Sequence, residues 1–423
     1  MSRQKLMDRV YLTCIPSEKF KTSFLSAQIA APLEKETAGC NALMVNVLSR
    51  GTVRCPDMAS IGRELDLLYG ARLEPTVRKK GENQLFGFAA SCIDDRFLPK
   101  GEKLLEKLTD LLGEFFCMPV TRGGRLLEEY VESERENLAD MIRSDINDKR
   151  AYAARRLLEE MCAGERYGLR RMGSAGDVEN ISLQRLNRHY RETLPKGRLE
   201  LFYCGSAPEK RVAGAFARAF AALPRQGALE PVQTIRRPAR ETCRVVTEEL
   251  DVSQGKLALG FRTGGQTCWE EDYPALTMCN AIFGGTTLSK LFMNVREKLS
   301  LCYYASSMME KMKGLVLVSS GIEFDKYQTA KDEILAQLEA IRRGDIEDWE
   351  MEGTRRTLIG GHLSTLDDQG RQEEFWLGQA AAGLDTTIEE LVDQFENVTR
   401  EQVAEAARRL ELDTVYFLKG KEV

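Results

Sequence analysis

Apolar positions follow two rhythms along this chain, and the rhythms succeed one another in the same order twice. In the first half, Leu85-Phe-Gly-Phe-Ala-Ala-Ser-Cys-Ile93 is a nearly continuous apolar run, the pattern of a buried strand. Leu104, Leu105, Leu108, Leu111 and Leu112 follow at mixed spacings of three and four, which predicts an amphipathic helix. In the second half, Gly314-Leu-Val-Leu-Val-Ser-Ser-Gly-Ile322 is again strand-like. Ile334, Leu335, Leu338 and Ile341 then return to helical spacing.

The repetition extends beyond these two pairs. A shift of 234 residues lays Ala42-Leu-Met-Val-Asn-Val-Leu over Leu276-Thr-Met-Cys-Asn-Ala-Ile, matching Met44 to Met278 and Asn46 to Asn280, and then Gly51-Thr52 to Gly285-Thr286. A shift of 229 superimposes the two strands. Any two strand-helix units can be slid into partial register, but the shared order of elements predicts two copies of one α+β domain, each a mainly antiparallel sheet packed against helices. Periodicity lapses after the helical segment 212–222, in a stretch that holds Pro224, Pro231 and Pro238 among several charges. The expected organisation is a domain over 1–222, a linker over 223–240 and a second domain over 241–423. Between Thr121 and Glu165 the runs 128–138 and 147–153 are densely charged and read as solvated helix faces.

A length of 423 residues accommodates two such domains, and 43% apolar with 30% charged residues is a globular composition. No uncharged apolar run is long enough to span a bilayer, and the N-terminus lacks the apolar core of an export signal. Both point to a cytoplasmic protein without a membrane span. A net charge of -5 gives no reason to expect nucleic acid. Eleven cysteines without a C-x-x-C pair fit reduced, buried thiols. The only histidines, His189 and His362, lie 173 residues apart and read as surface or structural residues. Gly264-Gly265 and Gly284-Gly285 lack the G-K-[ST] of a phosphate loop and read as helix-boundary turns, and no D-x-D-x-D-G calcium loop occurs. Cys40 has no visible base to make it a nucleophile.

The stretch Phe283-Gly-Gly-Thr-Thr-Leu-Ser-Lys-Leu-Phe-Met-Asn-Val-Arg-Glu-Lys-Leu-Ser-Leu-Cys-Tyr-Tyr-Ala-Ser-Ser307 combines a Gly-Gly turn, an S-x-L-F-x-x-V-R-E helix and a strand starting near L-x-Y. On Gly284, Gly285, Ser289, Leu291, Phe292, Val295, Arg296, Glu297, Leu301 and Tyr303 it resembles the insulinase, pitrilysin and mitochondrial processing peptidase family. Active members carry H-x-x-E-H on a helix: two histidines four apart bind zinc, and the glutamate activates water. Gly39-Cys-Asn-Ala-Leu-Met-Val-Asn-Val-Leu-Ser-Arg-Gly-Thr52 resembles the surroundings of that motif. On this resemblance the first histidine is replaced by Ala42, the glutamate by Val45 and the second histidine by Asn46. The family's third ligand, a glutamate in E-R-E-x-x-x-x-E-I, falls on Met141 of Glu134-Arg-Glu-Asn-Leu-Ala-Asp-Met-Ile142, with Asp140 or a neighbouring acid as the alternative.

In the family, an arginine and a tyrosine of the second domain bind the substrate backbone and support the oxyanion, and the resemblance implies these roles for Arg296 and Tyr303. Residue type alone leaves another account open, in which Arg296 pairs with an acid such as Glu297 and Tyr303 or Tyr304 packs. Strand alternation sends Tyr303 and Tyr304 to opposite faces and favours Tyr303 for the substrate. Some bacterial relatives divide the work between a zinc-bearing subunit and a zinc-less sister, and this chain resembles the sister. The expectation is a chain without autonomous catalysis or a cofactor of its own, partnered by a zinc-bearing family subunit, with peptide as the shared substrate and a homodimer as the form of the isolated chain. The alternative is a structural or regulatory assembly protein with no part in proteolysis.

Overall fold

The computed structural model describes residues 1–421. Its strands, in chain order, are β1 (Ser2–Met7), β2 (Val10–Pro16), β3 (Thr22–Pro32), β4 (Arg72–Lys80), β5 (Asn83–Ile93), β6 (Thr121–Arg122), β7 (Arg125–Leu126), β8 (Arg198–Gly205), β9 (Arg244–Leu250), β10 (Gly255–Arg262), β11 (Cys302–Glu310), β12 (Leu315–Ile322) and β13 (Glu411–Gly420). They form a six-stranded sheet of order β1-β2-β8-β3-β5-β4, a five-stranded sheet of order β11-β12-β10-β13-β9, and the short β6-β7 pair. Without β1, the first order is the second read from its other end. Each large sheet is antiparallel apart from one parallel pair, β2 with β8 and β9 with β13. The duplication expected from the sequence is thus present in the strand topology.

In the first sheet, pairing of β3 with β5 from Thr22↔Ile93 to Pro32↔Asn83 puts Leu25, Ala27, Ile29, Phe86 and Phe88 on one face. That face packs in a common core with residues of helices Lys35–Leu48, Leu104–Cys117 and Glu209–Ala219. Phe88 lies 5.1 Å from Phe115 and 5.2 Å from Phe116, ring centre to ring centre. The opposite face takes helix Gln369–Ala382: Leu377 meets Ala30 and Leu85, and Trp376 meets Phe202 and Cys204. Gln369 Nε2 fixes this helix by donating to the carbonyls of Cys204 (2.7 Å) and Thr22 (2.8 Å), and Arg78 pairs with the buried Glu373.

The second sheet repeats this arrangement. Leu257, Leu259, Phe261, Val316 and Val318 are buried on one face, and Phe261 meets Phe283 edge-on at 6.1 Å. On the other face, Ala258, Leu315, Leu317, Tyr416 and Leu418 share a core with Ala153, Leu157 and Met161 of helix Lys149–Met161. Beside that helix, buried Arg262 pairs with Glu165 (2.7 Å) and Asp413 (3.1 Å), while Lys313 also pairs with Glu165 (2.6 Å). The charged stretch read as a solvated face therefore carries a buried stripe at four-residue spacing.

The contacts sort the chain into two compact units. The first comprises Met1–Arg143, Leu169–Gln233 and Asp368–Ala381; the second comprises Ser144–Gly168, Thr234–Asp367 and the residues from Ala382 onward. One change of unit, between Gln233 and Thr234, falls inside the expected linker 223–240. The contiguous blocks 1–222 and 241–423 leave out the exchange of 144–168 and 368–381, because each exchanged segment covers the sheet of the other copy. Part of the linker is docked: Leu229 N–H donates to the Lys196 carbonyl at 2.8 Å, and the Asn83 side chain bonds both backbone groups of Val232, at 2.7 and 2.8 Å. Among the described residues no helix is long and apolar enough to cross a membrane.

Candidate functional site

Helix Lys35–Leu48 owes its position to a sequence that is apolar nearly all round, with ten of its residues, from Ala38 through Leu48, buried. Ala42 and Val45 lie in the first unit's core and Asn46 is half-buried. Met141 is 45% exposed on helix Glu128–Ser144, and its neighbour Asp140 pairs with Arg143 at 2.9 Å. These residues do not fit a zinc ion. Ala42 and Val45 have no donor atom, Asn46 offers a neutral amide, and Met141 offers a thioether where the metal prefers imidazole, thiolate or carboxylate. Among the described residues no three His, Cys, Asp or Glu side chains converge on a point that could hold a metal.

Both histidines are held structurally. His189 Nε2–H donates to Asn41 Oδ1 at 2.6 Å, and Asn41 Nδ2 donates to Gln84 Oε1 at 2.7 Å. Nδ1 of His189 lies 3.4 Å from the Thr193 hydroxyl, which completes a neutral ring, and burial with help from Arg185 pulls its pKa down to about 4. His362 sits 2.9 Å from the Leu358 carbonyl and against the Phe395 ring. Cys40 is buried, and burial pushes its thiol pKa up, the opposite of what a nucleophile needs.

The second unit holds the Gly-Gly, helix and strand motif of residues 283–307 in an unusual backbone. Residues Ala281–Gly285 and Leu291–Lys298 wind as wide π-type turns, so that Leu299 N–H reaches the Asn294 carbonyl at 3.0 Å. Such turns are rare and gather at functional positions. Ser300 adopts a left-handed φ of 50°, a strained state for a residue with a Cβ. Lys290 and Glu350, both buried, pair at 2.9 Å and tie the start of this segment to helix Asp348–Leu363. Gly284 is required by closeness: a Cβ there would meet the Ser307 nitrogen at 2.6 Å and Leu291 Cδ1 at 2.8 Å. This glycine seats the wide turn on β11, whereas Gly264 and Gly265 make a loop with φ of 60° and 92°.

Arg296 and Tyr303 are loosely engaged. The Arg296 guanidinium, on a side chain 41% exposed, stacks 4.7 Å from the Phe292 ring and lies 3.4 Å from Glu297. Tyr303 is 63% exposed and its hydroxyl donates to Glu323 at 3.3 Å. The structure gives the two residues separate partners. Simple alternation fails at this point: Cys302 pairs with Ile322 but Tyr304 pairs with Gly321, which makes Tyr303 an extra residue, a β-bulge. Tyr304 continues the regular ladder and is half-buried beneath Arg150, whose guanidinium lies 4.2 Å from the ring. Arg150, Glu323 and the strain at Ser300 had no signal in the sequence, because each depends on chain segments meeting or on a local break in register.

Comparison with known proteins places this geometry. The family model for the peptidase M16 inactive domain matches residues 180–358. The chain is 36% identical over 408 residues to YmfF of Bacillus subtilis (strain 168), described as a probable inactive metalloprotease, covering 96% of this chain and 95% of that one. A shorter match, 24% identical over 168 residues, is to YmxG of the same organism, an uncharacterized zinc protease; it covers 39% of this chain and 41% of that one. Among solved structures, a conserved protein from Enterococcus faecalis V583 matches with a TM-score of 0.91 at 29% identity, covering 99% of this chain and 98% of that one. The near-full-length relationship, the duplicated fold and the lack of any side-chain donor at Ala42 and Val45 agree: the chain belongs to the peptidase M16 family, as an inactive metallopeptidase homologue.

Proposed function

We propose that this chain is the zinc-less partner of a zinc-bearing peptidase of its own family, binding extended peptide and presenting Arg296 and Tyr303 to the backbone while the partner cleaves. The observation that carries this reading is a contrast within one chain. Positions 42 and 45 carry no metal donor and position 46 only a neutral amide, yet Arg296 and Tyr303 stay exposed, with contacts of 3.4 and 3.3 Å to their acidic neighbours. A guanidinium offers fixed N–H donors and a charge, and a phenol offers one O–H donor. A peptide carbonyl would displace Glu323 as acceptor of the Tyr303 hydroxyl, and both groups would gain strength as negative charge grows on that oxygen. Neither can activate water, so in this reading the chemistry belongs to the partner, and a relative described as a zinc protease supports it.

The test is co-expression with a zinc-bearing family member. In the complex, Arg296→Ala and Tyr303→Phe are each expected to lower kcat by about 100-fold, the usual effect of removing one oxyanion donor, while leaving co-elution unchanged. A zinc-bearing subunit that works at full rate alone, together with variants that change nothing, would leave the assembly role as the surviving account.

A further inference from the structure

Among the described residues β11 is an edge strand of the second sheet, paired with β12 alone. From Tyr304↔Gly321 to Glu310↔Leu315 its ladder is unbroken, so alternate amides and carbonyls face away from the sheet. The corresponding edge of the first sheet is β4, which contains Pro75; a proline in a paired edge strand turns its missing N–H outward and leaves a gap for any added strand. The segment 302–310 contains no proline. Arg296 and Tyr303 stand at the head of this same strand.

One face beside that edge is cationic. Tyr304 and Ser306 point to it, two residues apart. Arg150 covers the Tyr304 ring at 4.2 Å and donates to Ser306 Oγ at 2.8 Å, and the Lys256 ammonium lies 5.9 Å from the same ring. The neighbouring acid, Asp148, caps its helix through one oxygen, Oδ1, which accepts from the N–H groups of Arg150 and Ala151 at 3.0 Å each, and the Lys256 ammonium donates to Gln254 Oε1. Among the described residues neither Arg150 nor Lys256 forms an ion pair. Stacking on Tyr304 already orders the guanidinium, so less freedom is lost when it takes an anionic partner.

We propose that the open edge of β11 is where extended peptide pairs, and that Arg150, backed by Lys256, selects an acidic side chain at the peptide position beside Ser306. This rests on the peptide-binding reading above. A residue added directly across from Ser306 would have its Cβ about 5 Å away, within reach of the guanidinium. The test uses the full chain and two fluorescein-labelled pools of random twelve-residue peptides, one with glutamate fixed at the centre and the other with glutamine. The glutamate pool should bind about two- to five-fold more tightly, the range of an ion pair at a part-exposed site. Arg150→Gln should bring it to the affinity of the glutamine pool, and Lys256→Gln should do so in part. Amide hydrogen exchange should slow in 302–310 and stay unchanged in 72–80. Equal affinities of the two pools for the unaltered chain, or protection of 72–80 in place of 302–310, overturns this assignment while peptide binding stands. Binding of neither pool overturns both.

Discussion

At the scale of single residues, His189 gives a pH dependence whose sign follows from its surroundings. The unfolded chain protonates this ring near pH 6.5, whereas the folded chain resists until about 4, because the charged form would be buried. The folded pKa is the lower one, so the full stability is present above pH 6.5 and falls as pH drops between the two values. At pH 5 the loss is on the order of 2 kcal/mol. His189→Gln keeps a donor for Asn41 and removes the titration, so urea midpoints measured at pH 7.5 and 5 should differ less in the variant. An unchanged difference would show that other groups set the slope. That Ala42 and Val45 carry no side-chain donor, and Asn46 only a neutral amide, was legible at this scale, since it holds wherever they sit. The aim of Tyr303 was not: alternation assumes an unbroken ladder, and a bulge is a property of two strands together.

At the scale of elements, the wide-turn segment and β11 act as one piece because Gly284 lets them touch. Gly284→Ala would push a methyl group onto the Ser307 backbone, and overpacking of this kind costs about 1–3 kcal/mol. At Gly285 the nearest atoms to an added methyl belong to Asn280 at 3.2 Å, so Gly285→Ala should cost less. Chemical unfolding of the two variants side by side checks the order; equal losses would mean that the segment yields without resistance. Helix Lys149–Met161 shows where sequence reading stops at this scale. Ala153, Leu157 and Met161 recur every four residues, enough to reveal a buried stripe beneath the charge. Periodicity tells which side of a helix is covered, but not by which sheet, and the nearest sheet in sequence is not the one that covers it.

At the scale of the whole molecule, the recurring order of strand and helix patterns made the duplication legible, and the two mirrored strand orders agree with it, while the exchange of segments stayed hidden because it joins residues far apart in the chain. The exchange predicts how the chain behaves when cut. A fragment 1–233 would lack the helix that covers Leu85, Phe202 and Cys204, and a fragment 234–423 would lack the one that covers Leu315, Leu317 and Leu418 while leaving Arg262 and Lys313 without Glu165. Each fragment alone should bind a hydrophobic dye and melt without a sharp transition, since uncovered apolar faces and unpaired buried charges both oppose folding. Mixing the two should restore cooperative unfolding; a sharp transition in either fragment alone would contradict this. The same exchange constrains inheritance. Deleting either copy of the domain from the gene would also strip a helix from the survivor, so the two must be kept or lost together.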